Sequence, residues 1–426
     1  MKFENIRKVD NRAHKFTVSP IHVTYANTLR RLILTGVETV AFRSDMTSQG
    51  TTTDVVVKRN DTPMTNEMLA DRIGLVPINV LEPLKWNSDK YKFILKVAGS
   101  KDSTTYVKAA DFKVVEVKDT PEGIQEDIVS TEFFPSNPIT KDTCLIATLQ
   151  PGLTQQFIEI YAKATKGTGR EHARFSPVSQ CSYEYTLDSD PVRIEEMFQN
   201  WLNVAKKAGG LEKGSERYNE LRREFNTMQI KQCYKVDEKK EPYSFDFTVE
   251  TAGILPVEYI VERACEVGEN MCSRYVNIQG GDLPSEISIS SSDSRIIGYD
   301  FLFRGHDHTL GNLLQTWLSE NDSKITFVGY SVPHPLRDEM VLRVGVEDGE
   351  ESSARKAVAE AAKGCVELFQ QMRAEWRNAN NGTGTSTGIS TGISTSTTRS
   401  IRRTPTVAKE AKEAKEAKEA KDLKRG

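Results

Sequence analysis

Two stretches of the chain carry the same pattern of residues: FTVSPIHVTYANTLRRLILTGVETVAF at residues 16–42 and FLFRGHDHTLGNLLQTWLSENDSKITF at residues 301–327. They align without a gap, and each begins and ends with phenylalanine. The matching positions are Phe16 with Phe301, Thr24 with Thr309, Ala26 with Gly311, Asn27 with Asn312, Leu29 with Leu314, Leu32 with Trp317, Ile33 with Leu318, and Phe42 with Phe327. This match indicates that one strand–helix–strand unit is present twice. It disfavours the alternative of two unrelated amphipathic helices.

The first copy has the signals of a strand, a helix and a second strand. A strand is predicted at Lys15–Val18, and Ser19 followed by Pro20 is typical of a helix N-cap and first helical position. The predicted helix runs to Thr35, ends at Gly36 and precedes the strand VETVAF. Its apolar residues recur at spacings of three and four, which places them on one face: Ala26, Leu29, Leu32 and Ile33.

Residues 49–190 interrupt this unit with a β-rich pattern. Strand-length segments rich in β-branched and aromatic residues recur there: TTTDVVVKR, KYKFILKVAG, DFKVVEVK, DTCLIATL and QQFIEIYAKA. One helix is predicted among them, at Thr65–Gly74 with Thr65 as N-cap, and residues 191–228 also have a helical pattern. The strand YSFDFTVETAG and a helix that begins at Pro256 follow. We therefore predict a discontinuous first domain, residues 1–48 and 243–279, with an insert at residues 49–242.

The second copy belongs to a domain predicted at residues 296–377. A Gly/Ser-rich linker, residues 280–295, precedes it. The domain is predicted to contain a strand, a helix at residues 308–319, two further strands and a long helix from Ser352 to Arg377. Residues 378–426 contain few large apolar side chains and end in an AKE triplet repeat, so they are predicted to be a disordered tail.

Two copies of one helix-on-sheet unit predict an α+β fold that forms an intramolecular pseudo-dimer. In a two-fold dimer the same patch of each partner faces the other, and a covalent connection removes the entropy cost of association. Small residues would let the two backbones approach, and the paired asparagines are expected to hydrogen-bond within the fold. The predicted contact comprises Ala26, Asn27, Leu29, Ile33, Gly311, Asn312, Leu314, Leu318, Val358 and Cys365. No homo-oligomer is expected.

Composition narrows the class of protein. The chain has 426 residues with a net charge of −3, which differs from the basic balance of a dedicated nucleic-acid-binding protein. Its six cysteines contain no C-x-x-C pair and are widely spaced, as in a protein that keeps its thiols reduced. The N-terminus has no apolar signal segment, and no run of apolar residues is long enough to span a membrane. No bound metal, cofactor or membrane partner is expected.

Four longer motifs resemble a known family. YANTLRRLIL, MLADRIGLVPI, GTGREHARFSPVSQCSYEY and FTVETAGILPVEYIVERA are similar to the D-type, third-largest subunit of eukaryotic and archaeal multisubunit RNA polymerases. The stretch DHTLGNLLQTWLSENDSKITFVGYSVPHPL resembles the small L-type subunit that pairs with it. Both are similar to the N-terminal half of the bacterial alpha subunit. The resemblance covers residues 10–376, and is weak at 81–130 and 190–240.

The resemblance implies a non-catalytic assembly platform for the two large catalytic subunits, with small polymerase subunits as further partners and DNA contacted only through the complex. It implies that Arg30 and Arg31 contact the second-largest subunit and that a turn exposes Arg170, Glu171 and His172 to a partner subunit. The fusion of both types in one chain resembles the arrangement in large cytoplasmic DNA viruses. For a viral protein this implies the host cytoplasm, with the virion as a further location, and for a cellular protein it implies the nucleus.

Other functions have weaker signals. The segment GHDH places His306 and His308 around Asp307, but a third metal ligand at motif spacing is lacking, and Asp307 also suits a helix N-terminus. The segment KGTGR lacks the spacing of a phosphate-binding loop. The family's insert often carries a zinc or iron–sulfur site, whereas this insert region offers only Cys144 and Cys181 in its β-rich part. The alternative from another class is a free-standing nucleic-acid-binding or structural virion protein with the same fold.

Overall fold

The computed structural model describes residues 1–47, 52–120, 123–129, 133–206, 210–292 and 296–382. The strands in these ranges are β1 (Lys2–Lys8), β2 (Ala13–Ser19), β3 (Glu38–Ala41), β4 (Val55–Asn60), β5 (Tyr91–Ala98), β6 (Thr105–Lys108), β7 (Phe112–Thr120), β8 (Gly123–Val129), β9 (Leu145–Leu149), β10 (Phe157–Ala162), β11 (Thr165–Thr168), β12 (Val178–Tyr185), β13 (Phe245–Thr251), β14 (Ile287–Ser291), β15 (Gly298–Arg304), β16 (Ile325–Ser331) and β17 (Glu339–Val346). The α-helices are α1 (Val23–Thr35), α2 (Asn66–Gly74), α3 (Pro191–Val204), α4 (Glu216–Glu224), α5 (Val257–Ser273), α6 (His308–Asn321) and α7 (Glu351–Gly382).

The first unit is a four-stranded antiparallel sheet covered by α1 and α5. Its strand order is β1-β2-β13-β12. In β13 buried and half-buried residues alternate, and Phe245, Phe247 and Val249 point into the core. Pro256 precedes the first residue of α5, as predicted from its place in the sequence.

The start of α1 differs from the prediction. The helix begins at Val23, and its N-cap is His22, whose Nδ1 accepts a hydrogen bond of 3.2 Å from the Thr24 amide; Ser19 and Pro20 instead end β2 and connect it to the helix. At the other end Gly36 is the C-cap, with ordinary right-handed backbone angles. A Cβ at Gly36 would lie 3.0 Å from a methyl group of Val267 on α5, so glycine permits close helix packing there.

The second unit repeats this plan. Its antiparallel sheet has the order β14-β15-β17-β16, and α6 and α7 accompany it. The positions match one by one: β14 corresponds to β1, β15 to β2, β17 to β13 and β16 to β12. Two copies of one helix-on-sheet plan therefore follow from the repeated sequence.

The insert has its own hydrophobic core beneath a five-stranded sheet of order β4-β10-β5-β7-β8. The predicted helix there is confirmed as α2, with the Thr65 hydroxyl accepting from the Met68 amide. A small separate core formed by Phe198, Leu202, Leu221 and Phe225 holds α3 and α4 together.

Several boundaries differ from the predicted ones. Strand β12 was expected within the insert, but it pairs with β13 and completes the first sheet. The predicted linker contains β14, which pairs with β15. The last helix extends beyond Arg377 to Gly382, and the rest of the predicted tail, with the AKE repeat, lies outside the described residues.

One continuous hydrophobic core joins the two units. Trp376 on α7 lies against Phe3 and Phe16 of the first sheet, with ring centroids 5.2 and 5.0 Å away. Its indole nitrogen also donates a 3.0 Å hydrogen bond to the Glu258 carbonyl on α5. The long apolar face of α7 is thus covered by the other unit, and the α+β fold class is confirmed.

Candidate functional site

The contact between the two units contains a line of polar bonds where α1 and α6 cross. The Thr24 hydroxyl accepts from Asn312 Nδ2 at 3.3 Å and from the Thr316 hydroxyl at 3.1 Å. Farther along, the Tyr25 hydroxyl donates to Glu320 Oε2 at 3.0 Å. Burial, together with the charge of Glu320, raises the pKa of Tyr25 well above its usual value, so the phenol remains a donor. These directional bonds fix how the helices cross.

Of the ten predicted contact residues, Asn312 bonds across the contact to Thr24, and the other nine fall into two groups. The fully buried members of the shared core are Ala26, Leu29, Ile33, Leu314, Leu318, Val358 and Cys365. Two others lie elsewhere than expected: Asn27 accepts from Arg30 Nε on its own helix, and Gly311 faces Tyr330 and Met340 of its own unit. The periodicity of a helix gives its apolar face, but it does not tell which neighbour covers each part of that face.

Arg31 has a role inside the chain that the sequence did not indicate. Its Nε donates to the Thr309 hydroxyl at 2.8 Å, and its Nη2 lies 3.2 Å from Asp307 Oδ2. Both partners belong to the second unit. Arg31 therefore bonds within the chain, because α6 begins within reach of its guanidinium, and its contact with the second-largest subunit stays a prediction.

The turn at residues 170–172 is also held by internal bonds. Arg170 donates to the Gly305 carbonyl at 3.0 Å and pairs with Asp338, both in the second unit. Glu171 pairs with Arg43, and His172 Nδ1 accepts from the Arg174 amide at 3.1 Å. This turn connects the end of the insert to the second unit, so these side chains do not form a detached, freely exposed loop.

A groove of about 630 Å³ opens between α1 and the edge strand β12. Its lining consists of Asn27, Arg30, Cys181, Ser182, Tyr183, Glu184, Tyr185, Leu187 and Lys231. Arg30 and Lys231 bring positive charge to it. Burial raises the pKa of the Cys181 thiol to about 12 even though the Arg30 charge opposes the shift, so this thiol stays protonated and does not provide a nucleophile.

Sequence reasoning identified Arg30 but missed the rest of this groove. Tyr185 and Lys231 are distant from Arg30 in the chain, and they meet it only because β12 returns to the first sheet after the insert. The segment that forms β12, VSQCSYEY, lies within the predicted insert and lacks a regular alternation of buried and exposed residues.

In the second unit the corresponding surface is closed. Gln315 occupies the position that matches Arg30, and its side-chain carbonyl accepts a 3.0 Å hydrogen bond from the Tyr330 amide of β16. The Tyr330 ring covers Gly311, where an added Cβ would clash with it. The two units therefore present different helix surfaces despite their common plan.

The GHDH segment has a structural role. The Asp307 carboxylate caps α6 and accepts from the Thr309 amide at 2.8 Å, and His306 Nε2 lies 2.6 Å from the Tyr275 hydroxyl. Burial, with Arg170 and Arg274 nearby, lowers the pKa of His306, which favours the neutral ring. Among the residues that the structure describes, no group of three or more His, Cys, Asp or Glu side chains could hold a metal ion.

Comparison with known proteins identifies the family. Two models of the RNA polymerase Rpb3/Rpb11 dimerisation domain match the chain, one over residues 15–272 and one over residues 299–375. The longer match covers more than half of the sequence, and the chain belongs to this family of polymerase assembly subunits. Two matches to this dimerisation domain are thus present in one chain.

Individual relatives agree with this assignment. The chain is 27% identical over 308 residues to mouse DNA-directed RNA polymerases I and III subunit RPAC1, covering 64% of this chain and 83% of that protein. It is 25% identical over 296 residues to subunit Rpo3 of Methanosphaera stadtmanae, covering 64% and 96%. With subunit RPB3 of Schizosaccharomyces pombe it shares 24% over 296 residues, covering 66% and 89%. None of the helices in the described ranges has the length and apolar character needed to cross a membrane.

Proposed function

We propose that this chain is a non-catalytic subunit of a multisubunit DNA-directed RNA polymerase and that the two large catalytic subunits assemble on it. The observation that carries this proposal is the single core formed by two Rpb3/Rpb11-type units in one chain. Such a core makes a rigid base without a second subunit. The family membership favours this scaffold role over a free-standing nucleic-acid-binding or virion protein.

The surface we assign to the second-largest subunit is the groove between α1 and β12. It offers Arg30, which is half-buried and oriented by Asn27, together with Lys231. An arginine held in this way suits a carboxylate, because its planar guanidinium can donate two parallel hydrogen bonds. We therefore infer that an acidic side chain of the second-largest subunit enters this groove.

The corresponding face of the second unit gives a reason to assign the docking surface to the first unit. There the Gln315 side chain accepts a hydrogen bond from the Tyr330 amide, and the chain's own residues fill the surface. Of the two helix surfaces, the one in the first unit is the one that the chain's own residues leave open. By the resemblance, the largest subunit and the small subunits bind elsewhere on the platform.

Arg31, Arg170, Glu171 and His172 act in our proposal as supports for the docking surface. Arg31 and Arg170 tie the first unit and the insert to the second unit, as their bonds to Asp307 and Asp338 indicate. Their effect on polymerase assembly is then indirect, through the orientation of the two units.

We further infer that the chain replaces two subunits that are separate proteins in cellular polymerases. The presence of two family matches in one chain supports this. By the resemblance, such a fusion suits a large cytoplasmic DNA virus, with transcription in the host cytoplasm. Mass spectrometry of the purified polymerase tests the idea, because a separate L-type subunit beside this chain would contradict it.

The docking surface is tested with variants of the full chain. Arg30→Ala should leave the circular dichroism spectrum and melting temperature unchanged while it reduces copurification of the second-largest subunit. Arg30→Lys should rescue this only in part, since an ammonium group lacks the forked geometry. Lys363→Ala, which removes a positive charge from an exposed position on α7, is the matched control and should assemble normally. Normal recovery of the large subunit with Arg30→Ala would overturn the assigned surface.

A further inference from the structure

Helices α5 and α7, one from each unit, run antiparallel along the contact between the units. Near the start of α5 the Glu258 carbonyl accepts from Trp376. Two to three turns later the Glu269 carboxylate accepts from Gln370 at 2.8 Å and lies 3.2 Å from Arg373. As the residue numbers rise along α5, their partners on α7 therefore fall.

This register brings two cysteines together. One turn beyond Gly268, which packs on Phe369, α5 carries Cys272, and one turn before Phe369, α7 carries Cys365. Both side chains are completely buried. Cys272 belongs to the first unit and Cys365 to the second, and they lie on facing turns of the two helices.

Helix α5 packs closely on α7 beside this pair. A Cβ on Gly268 would lie only 2.7 Å from the Phe369 ring of α7, so glycine at this position permits the contact. A disulfide requires Cα atoms about 4.4–6.8 Å apart, so close helix packing is the condition that such a bond needs.

The thiols also influence each other. A hydrogen bond with Cys365, together with burial, raises the pKa of Cys272 well above its usual value. The raised pKa keeps the Cys272 thiol in the protonated, slowly reacting form. By comparison, Cys265 on the same helix is equally buried, and burial raises its pKa to about 12 although the Arg373 charge opposes the shift.

We propose that Cys272 and Cys365 are an oxidisable pair whose disulfide covalently joins the two units. The oxidant we name is a small-molecule disulfide. When α5 and α7 separate locally and expose the pair, one cysteine thiolate attacks its S–S bond and releases one thiol; the second cysteine thiolate then attacks the mixed disulfide and releases the other. Two protons leave the protein, two electrons reduce the oxidant to two thiols, and one S–S bond forms between α5 and α7.

This bond would act on the polymerase platform as a lock. The two units are otherwise joined covalently only through the chain between α5 and β14, and their contact is maintained by packing and polar bonds. A disulfide restricts the ensemble in which the units have separated, and by that restriction it stabilises the joined state. The lock concerns the chain itself and does not depend on docking of a large subunit.

The test uses the full chain with a protease site inserted between Ser292 and Ile296. Exposed Cys144 is first changed to Ser in all samples, so that it cannot link two molecules. After treatment with oxidised glutathione and cleavage, the two fragments should run as one species on a non-reducing gel. They should separate when a reductant is added. Peptide mapping should find Cys272 linked to Cys365, with a loss of roughly 2 Da for the two hydrogens.

Substitutions identify which cysteines form the disulfide. Cys272→Ala and Cys365→Ala should each abolish the link, whereas Cys265→Ala, the matched buried control on α5, should retain it. Melting curves of the reduced proteins show whether each variant is folded. The proposal is overturned if the oxidised, folded wild-type chain separates into two fragments, or if another cysteine pair is linked. The wild-type result decides this without any variant.

Discussion

The two sheets of this protein have the same strand order but acquire their outer strand differently. In the second unit, β16 follows α6 directly and Tyr330 covers the helix. In the first unit, the insert intervenes, and β12 arrives from the far end of the insert to take the same place. The first unit consequently keeps an open groove beside Arg30. One plan thus yields a closed surface in one copy and an open groove in the other.

The largest expected effect comes from matched leucines of the two units. Leu29 and Leu314 are both fully buried in the shared core. Each Leu→Ala change should lower the free energy of unfolding by about 2–5 kcal/mol, because a cavity remains in the core. Urea unfolding of each variant measures this, with the exposed Leu336→Ala as control.

The shape of the same curves tests whether the units form one cooperative core. A single shifted transition is expected for both leucine variants. Two transitions, with only one unit destabilised by each substitution, would show that the units unfold separately.

The next effect distinguishes the closed surface from the open one. Gly311→Ala should destabilise the protein by about 1–3 kcal/mol, since the added methyl group overlaps the Tyr330 ring and the core must adjust. The matched Ala26→Gly should cost about 1 kcal/mol from helix propensity, with a further loss from its buried methyl group. The informative control is Gly311→Ala combined with Tyr330→Ala. If removal of the ring does not reduce the effect of the alanine, Tyr330 does not cover Gly311.

An acid-dependent difference is expected between the units. In the first unit the Glu258 carboxylate lies 2.8 Å from Lys8 Nζ and 3.4 Å from His14 Nε2. The bond with His14, with a second one from Lys8, holds the pKa of Glu258 well below its usual value. At the position that matches His14, the second unit has Tyr299, whose hydroxyl donates to the Gly349 carbonyl.

Because the pKa of Glu258 is lowered on folding, its ionised form stabilises the protein above its unfolded pKa, about 4.3, and this contribution is lost as the pH falls. Glu258→Gln should lower stability by roughly 1–3 kcal/mol at pH 7, as expected for hydrogen bonds to a charged group. It should also flatten the decline in stability as the pH falls below about 4.3, where the unfolded carboxyl becomes protonated while the folded one stays ionised. Chemical denaturation at several pH values measures both, with Tyr299→Phe as the uncharged comparison. An unchanged pH profile would contradict this role of Glu258.

The smallest effect concerns the ion pair that joins the units. The side chains of Arg31 and Asp307 are each 35% exposed, so solvent screens their attraction. Arg31→Ala and Asp307→Asn should show a coupling energy of about 0.2–1 kcal/mol in a double-mutant cycle. A coupling of zero would remove the pair from the contacts that orient the two units.

Sequence periodicity gave the helices and the central strands, because their apolar faces are wide and regular. The edge strands were harder to predict from the sequence. In β1 the sequence KFENIRK buries only Phe3, and β14 is the serine-rich segment ISISS, so neither has the hydrophobic signal of a strand covered on one whole face. Their strand form depends on the backbone bonds of the neighbouring strand, which local sequence does not contain.

The candidate site was predictable only in part for a related reason. Arg30 was recognised from the repeat and the family resemblance, but its neighbours Tyr185 and Lys231 come from within the predicted insert, residues 49–242. Arg31 was expected to bind a partner, although its bonding partners lie at the start of the second helix of the repeat. Which of two adjacent arginines faces solvent depends on the helix crossing, and this is a tertiary property.

The most direct test of the platform is native mass spectrometry of the complex purified through a tag on this chain. We expect a complex that contains one copy of the chain, one copy of each of the two large polymerase subunits and no separate L-type subunit. The chain recovered alone or as a homodimer, with no large polymerase subunit bound, would contradict the account.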